Sequence, residues 1–185
     1  MRRLIYAMGV TLDGYIADPE GGIDWSVPSD ELHRFHNDRT RRLEGHLLGR
    51  NLYETMTYWE NLDLSAASEI ERDFAEVWRA LPKVVFSSTL TDVVGNTRLV
   101  SSDPVAEVRA FKAAGDGEWG VGGARLAHTL FEHDLIDECQ LFVYPVTLGD
   151  GIPYFPRRGR RLEFEPIETQ LLPGGVVYLR QRRVR

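Results

Sequence analysis

The sequence predicts an α/β fold: a three-layer α/β/α sandwich whose central sheet is mostly parallel and closes with antiparallel strands at its C-terminal edge. Three patterns predict it. Apolar runs of strand length alternate with amphipathic helical stretches through most of the chain. Two of those runs pass through glycine directly into a helix, as a parallel strand does when it enters its crossover. The C-terminal part instead holds extended segments joined by Pro173-Gly174-Gly175, which reads as a hairpin. At 185 residues the chain lies within the usual range of one domain, so residues 1–185 are read as a single unit.

Each element has its own local reason. Leu4 to Val10 is apolar with Gly9 near its end, and the Asp13-Gly14 turn signal follows, so a buried strand enters a loop. The loop passes Pro19 and Gly21-Gly22 to Pro28. Ser29 then offers an N-cap for a helix carrying Leu32 and Phe35, expected to close at Gly45. His46 to Gly49 is a short apolar strand, and a helix begins at Arg50 straight after it. Glu69 to Leu81 is an amphipathic helix ended by Pro82, and Lys83 to Ser88 reads as a buried strand with a polar end. Asp103-Pro104 opens a helix to Ala114. Glu118 to Val121 is a strand running into Gly122-Gly123 and a helix through Leu126, Leu130 and Phe131. Asp137 to Thr147 is expected to be one long strand, and 161–171 with 176–182 form the closing antiparallel pair.

Composition narrows the function classes. No apolar run approaches bilayer-spanning length, and Asp13 interrupts the N-terminus before a signal-peptide apolar region is complete, so a cytoplasmic protein without a membrane partner is expected. The single cysteine, Cys139, excludes an internal disulfide and a multi-cysteine zinc site, and in an apolar strand it reads as a small core residue. The formal net charge is −6, yet residues 157–185 carry eight arginines against three glutamates. A basic end on an acidic body is a nucleic-acid signal in principle. Here Arg157, Arg158, Arg160 and Arg161 read more simply as a solvated loop, and Arg180, Arg182, Arg183 and Arg185 as an edge strand, so no nucleic-acid partner is expected.

The two strand-glycine-helix junctions point to a ligand with phosphates. A helix N-terminus presents free N–H groups and a partial positive charge, and glycine lets an oxyanion approach the backbone. The alternative is packing alone, because tight strand-to-helix turns often demand glycine. Gly120-Val121-Gly122-Gly123-Ala124-Arg125 departs from the dinucleotide fingerprint, with Arg125 where the third glycine belongs. Arg50 and the hydroxyl pair Ser87-Ser88 offer charge and hydrogen bonds for a further phosphate, or are merely a solvent-facing arginine and two turn serines.

Taken in order, these residues resemble a known family. Thr11-Leu12-Asp13-Gly14-Tyr15-Ile16-Ala17, Leu48-Gly49-Arg50, Phe86-Ser87-Ser88, Val121-Gly122-Gly123, Leu135-Ile136-Asp137-Glu138 and the run from Pro145 to Phe155 resemble the dihydrofolate reductase-like superfamily. Within it the chain is similar to the C-terminal reductase domain of the riboflavin biosynthesis deaminase-reductase, as a stand-alone member. The resemblance implies an NADPH-dependent reductase of a small nitrogen heterocycle, like 5-amino-6-(5-phosphoribosylamino)uracil reductase. It implies that Ala17, Gly49, Arg50, Asn51, Ser87, Ser88, Gly122, Gly123, Ala124 and Arg125 hold the cofactor. Dihydrofolate reductase itself, or an NADPH-binding module with weak turnover, are the alternative readings.

On the substrate side, Trp25-x-x-Pro28-x-Asp30 has the spacing of folate reductases, whose carboxylate supports protonation of the pterin, which makes Asp30 a candidate acid and Trp25 a candidate substrate contact. Asp30 also suits a helix first turn for its charge alone. Asp13 is a second candidate, for holding nicotinamide or substrate, or it simply belongs to its Asp-Gly turn. Glu31-Leu32-His33-Arg34-Phe35-His36 resembles the Asp-x-His-Arg-x-Arg helix of the riboflavin reductases, which makes Arg34 a candidate substrate ligand, with His36 replacing the second arginine. His33 and His36 have metal-pair spacing with no completing cluster, so no metal is expected. Deaminase chemistry is absent, since one cysteine cannot supply Cys-x-x-Cys. The apolar, aromatic run from Phe142 to Phe155 is expected to carry a homodimer interface, as the resemblance also implies.

Overall fold

A computed structural model of the chain describes residues 1–157 and 161–185. Arg158 and Arg160 of the expected basic loop lie outside the described residues. In chain order the elements are β1 (Arg3–Thr11), β2 (Tyr15–Ala17), α1 (Asp30–Arg41), β3 (Gly45–Gly49), α2 (Arg50–Asn61), α3 (Glu69–Ala80), β4 (Lys83–Phe86), β5 (Thr97–Val100), α4 (Pro104–Ala113), β6 (Glu118–Gly122), α5 (Ala124–Glu132), β7 (Glu138–Tyr144), β8 (Ile152–Pro153), β9 (Glu163–Leu171) and β10 (Val177–Val184), with short 3-10 turns at Asp24–Ser26 and Pro173–Gly175. Eight strands form one sheet in the order β5-β4-β3-β6-β1-β7-β10-β9. The pairs from β5 through β7 are parallel, and β10 pairs antiparallel with both β7 and β9.

The period of two along each strand builds the three layers. Leu4, Tyr6, Val10, Leu47, Val84, Val121 and Cys139 face α4 and α5 in one core. The alternate positions Ile5, Leu48, Val85, Phe142 and Tyr144 face the layer of α1, α2 and α3. Among the described residues no helix is long and apolar enough to cross a membrane.

Several expectations change on contact with tertiary structure. Helix α1 stops at Arg41, where the chain turns, and Gly45 instead begins β3. A Cβ there would lie 2.2 Å from the Trp119 ring, so this glycine makes room for an indole that crosses it. The long strand expected over 137–147 ends at Tyr144, before Pro145, which has no N–H to extend the ladder. The two-stranded pair β2-β8 and the strand β5 are too short to be read from pattern.

The apolar run from Phe142 to Phe155 is partly interior. Phe142, Tyr144 and Tyr154 are buried, and Tyr154 donates its hydroxyl to the Tyr6 carbonyl at 2.8 Å. Val143, Val146, Leu148 and Ile152 are half-buried, and Phe155 is the large hydrophobic of this segment that is exposed. The C-terminal arginines are engaged in ion pairs: Arg180 with Glu138, Arg182 with Glu165, Arg183 with Asp134, and Arg185 with Asp134 and Asp137.

Candidate active site

The connection leaving β3 through α2 and α3 goes to β4 on one side, while the one leaving β6 through α5 passes β1 to reach β7 on the other. Strands β3 and β6 are themselves neighbours, with Leu48 opposite Gly122. The crossovers thus diverge between them, and a crevice opens at the C-terminal ends of these two strands. In open α/β sheets that point is where ligands bind.

Both helices that diverge there start on glycine. α1, α3 and α4 are capped by side chains: Ser29 accepts from Leu32 N–H, Ser68 and Glu71 form a capping box, and Asp103 accepts from Val105 N–H with Pro104 in the first turn. α2 and α5 begin at Gly49 and Gly123 with no side-chain cap. Their first N–H groups keep their positive ends free, side by side at one crevice. Gly123 has φ +95°, and a Cβ built on it would lie 3.5 Å from the Cα of Gly49. Gly122 answers to packing instead, because a Cβ there would meet the Leu52 side chain at 2.3 Å.

A polar cluster stands beside this crevice. The Arg50 guanidinium donates to Thr89 Oγ1 at 2.7 Å and to Glu54 Oε1 at 2.8 Å. Ser87 Oγ accepts the N–H groups of Thr89 and Leu90 and lies 3.3 Å from Thr89 Oγ1. Ser88 and Asn51 are exposed next to these groups in sequence. Arg50 and the Ser87 turn, distant in sequence, are thus brought together through Thr89. The sequence reading stopped at the serine pair and missed Thr89, although it continues the same hydroxyl run.

The family described as RibD C-terminal domain matches residues 2–178. The chain belongs to the RibD C-terminal domain family. Uncharacterized protein YyaP of Bacillus subtilis (strain 168) is 27% identical over 179 residues, covering 96% of this chain and 93% of that protein. The crystal structure of a protein of Shewanella sp. PV-4, called a putative riboflavin biosynthesis protein, aligns with a TM-score of 0.75 at 26% identity over 99% of both chains. Dihydrofolate reductase from Enterococcus faecalis, complexed with NADP(H), shares the fold at a TM-score of 0.63 and 15% identity, covering 98% of this chain and 96% of that one. The three-layer sandwich is therefore the dihydrofolate reductase-like fold on which the RibD reductase domains are built.

The remaining candidates of this RibD-family chain lie on the loop after β1, on β2 and around the N-terminus of α1. Asp13 is a brace: its carboxylate accepts from Thr11 Oγ1 at 2.5 Å, from Leu148 N–H at 3.1 Å and from Gly149 N–H at 2.7 Å. Those hydrogen bonds, that of Thr11 foremost, hold its pKa below the ordinary carboxylate value. It ties the loop after β1 to the segment after β7. Ala17 is buried in the β2-β8 pair, with its carbonyl oxygen 2.2 Å from where a Gly151 Cβ would stand.

Asp30 and Arg34 are exposed on the first turns of α1. Trp25 packs edge-on to Tyr144 and lines a groove of about 310 Å³ with Val27, Leu32 and Pro173, on the hairpin side of α1. Ser29, the N-cap next to Asp30, lines the same groove. Gly9 carries the turn holding Trp25, since a Cβ on Gly9 would be 3.2 Å from the Tyr144 ring and 3.8 Å from Ser26 Cβ.

The two histidines of α1 face different surroundings and do not form a pair. His33 contacts the rings of Trp59 and Phe74, with its pKa lowered by burial and partly restored by Glu71, Asp30 and Asp73. His36 lies 4.4 Å from the Phe142 ring, and burial pushes its pKa down to about 3, so it is neutral. Among the described residues no group of three His, Cys, Asp or Glu side chains forms a metal cluster. A half-buried stripe of α2, Leu52, Met56 and Trp59 at positions i, i+4 and i+7, leads from Gly122 toward His33. The sequence reading missed it because helical spacing alone does not separate a cleft wall from core.

Proposed function

We propose that this chain is an NADPH-dependent reductase of a small nitrogen heterocycle or its sugar-linked imine, in the manner of the riboflavin-pathway reductases. The observation that carries the reading is the adjacency of two uncapped helix N-termini at the switch point of the sheet. Their cradle suits a pyrophosphate: the N–H groups that begin α2 and α5 are free, and the glycines leave the backbone open. Gly49, Arg50 and Asn51 would hold it from one side, with Gly122, Gly123, Ala124 and Arg125 on the other. Arg50, Ser87, Ser88 and Thr89 would hold the phosphate that distinguishes NADPH from NADH. The E. faecalis reductase of the same fold, complexed with NADP(H), supports the choice of cofactor.

When bound, the nicotinamide supplies the hydride. The protein's part is to position and to dry the site. Asp13 holds the loop after β1 and the Leu148-Gly149 backbone in one arrangement, and the Leu52-Met56-Trp59 stripe keeps water from one wall. Asp30 carries the proton for the accepting bond, within the first turn of α1. His36 is neutral against Phe142, so α1 offers Arg34 as its substrate-side cation, which favours a substrate with little negative charge. A homodimer through residues 142–155, with Phe155 at the seam, completes the reading.

Fluorescence titration with NADPH, followed by absorbance assays on a panel of pyrimidine ribosylimines and dihydrofolate, tests it. Binding plus oxidation with a ribosylimine is the expected result. Turnover of dihydrofolate alone would assign the chain to folate reduction, binding without turnover on any panel member to a nucleotide-binding module, and absence of NADPH binding would overturn the reading.

A further inference from the structure

A carboxylate stands inside the polar cluster beside the crevice. Glu54 Oε1 accepts from Arg50 Nε at 2.8 Å, one helical turn along α2, while a terminal nitrogen of the same guanidinium donates to Thr89 Oγ1 at 2.7 Å. Both members of the pair are exposed. Two of the five guanidinium N–H groups are thus spent, and the other three meet no acceptor among the described residues.

Arg50 sits where a helix least favours a cation. It is the first residue of α2, and whereas the first turns of α1, α3 and α4 each hold an acidic residue, that of α2 holds none. The guanidinium and the uncapped N–H groups therefore place their positive charge together, which an anion relieves. Among the described residues Glu54 is the carboxylate that pairs with Arg50. An exposed pair of this spacing contributes little to stability, and less with the cation on the N-terminal side, so holding the helix together does not account for it.

The pair matters more to an incoming anion. A phosphate monoester carries about −1.5 to −2 charge at neutral pH, so its approach to the open N–H groups of Arg50 brings two anions onto one guanidinium. Repulsion of that kind through solvent is worth roughly three- to ten-fold in affinity, and it exceeds what the pair returns by steadying Arg50.

We propose that Glu54 is a specificity-determining residue: by pairing with Arg50 it holds down the affinity for dinucleotides that carry a 2′-phosphate and so tempers the preference for NADPH over NADH. The inference rests on the reading of Arg50, Ser87, Ser88 and Thr89 as the 2′-phosphate site. Reduced and oxidised forms are affected alike, because both carry that phosphate.

Isothermal titrations of wild type, Glu54→Gln and Arg50→Ala with NADPH, NADH and adenosine 2′,5′-bisphosphate test it. Glutamine keeps an oxygen for Arg50 Nε and removes the charge. Glu54→Gln is expected to bind NADPH and the bisphosphate roughly three- to ten-fold more tightly than wild type, with NADH changed by less than about two-fold, and the gain should shrink as sodium chloride is raised. The melting temperature of Glu54→Gln serves as the control for folding. Unchanged or weaker NADPH binding by Glu54→Gln, or an equal gain for NADH, overturns the role of Glu54, while loss of the NADPH preference in Arg50→Ala keeps the cluster as the phosphate site. NADPH binding that Arg50→Ala leaves as in wild type removes the phosphate from the cluster, and the role of Glu54 with it.

Discussion

Gly49 and Gly123 stand face to face at the start of two helices that leave the sheet in opposite directions, close enough that a Cβ on Gly123 would be 3.5 Å from the Gly49 Cα. Substitution at Gly123 brings two costs, the φ of +95° that side chains rarely adopt and the narrowing of the space between the helix ends. Gly123→Ala is expected to weaken NADPH binding by at least roughly ten-fold with a modest fall in melting temperature, since one charge-assisted contact is worth about 1.5–3 kcal/mol. Isothermal titration alongside thermal unfolding checks it, and unchanged affinity would place the nucleotide elsewhere.

On the proposed reading the Arg50-Thr89-Ser87 cluster sets cofactor preference. Wild-type protein is expected to bind NADPH well ahead of NADH, and Arg50→Ala to remove most of the difference, on the order of ten- to hundred-fold for a lost charge-assisted bond. Thr89→Ala should lose part of it. Fluorescence titrations with both nucleotides measure this, and equal wild-type affinities would remove the 2′-phosphate from the cluster.

Asp30 is tested through turnover. Asp30→Asn should keep NADPH affinity while lowering kcat/KM by roughly ten-fold or more, the range of a general acid. A helix-end charge without a chemical part would leave kcat/KM and its pH profile as in wild type.

Asp13 makes the loop tie sensitive to acid. Its pKa is lowered in the folded state, chiefly by the Thr11 hydroxyl, so its contribution is fully present above the unfolded carboxylate value near about 4 and is lost as pH falls through the lower folded value. Asp13→Asn should therefore destabilise the protein at neutral pH and flatten the loss of melting temperature in that acid window. Identical slopes for mutant and wild type between roughly pH 5 and pH 2 would show that the tie does not contribute.

Phe155 and its neighbour Tyr154 test the proposed interface against the core. Phe155→Asp should convert a dimer to the 21.1 kDa species with the fold retained. Tyr154→Asp should unfold the protein, since it places a charge beside Tyr6 in the interior. Light scattering with circular dichroism distinguishes them, and a wild type that is monomeric at every concentration would remove the dimer.

The sequence by itself determined the layers, because alternation of short apolar strands with amphipathic helices admits few arrangements, and the two Gly-to-helix junctions and the ordered motifs placed it in its family. The cap at Ser29, the Asp103-Pro104 opening and the break at Pro82 are local, so helix limits were legible to within a few residues. Only tertiary structure decided which partners those residues meet. Adjacency of Gly49 and Gly123 depends on strand order, which local pattern does not encode. Gly45 reads as a helix stop until the Trp119 indole is seen to cross it, and Tyr154 reads as surface until its hydroxyl is found on the Tyr6 carbonyl. Asp13 reads equally as turn or catalyst until Leu148 and Gly149 are seen donating to it, because burial and long-range hydrogen bonds are properties of the folded chain as a whole.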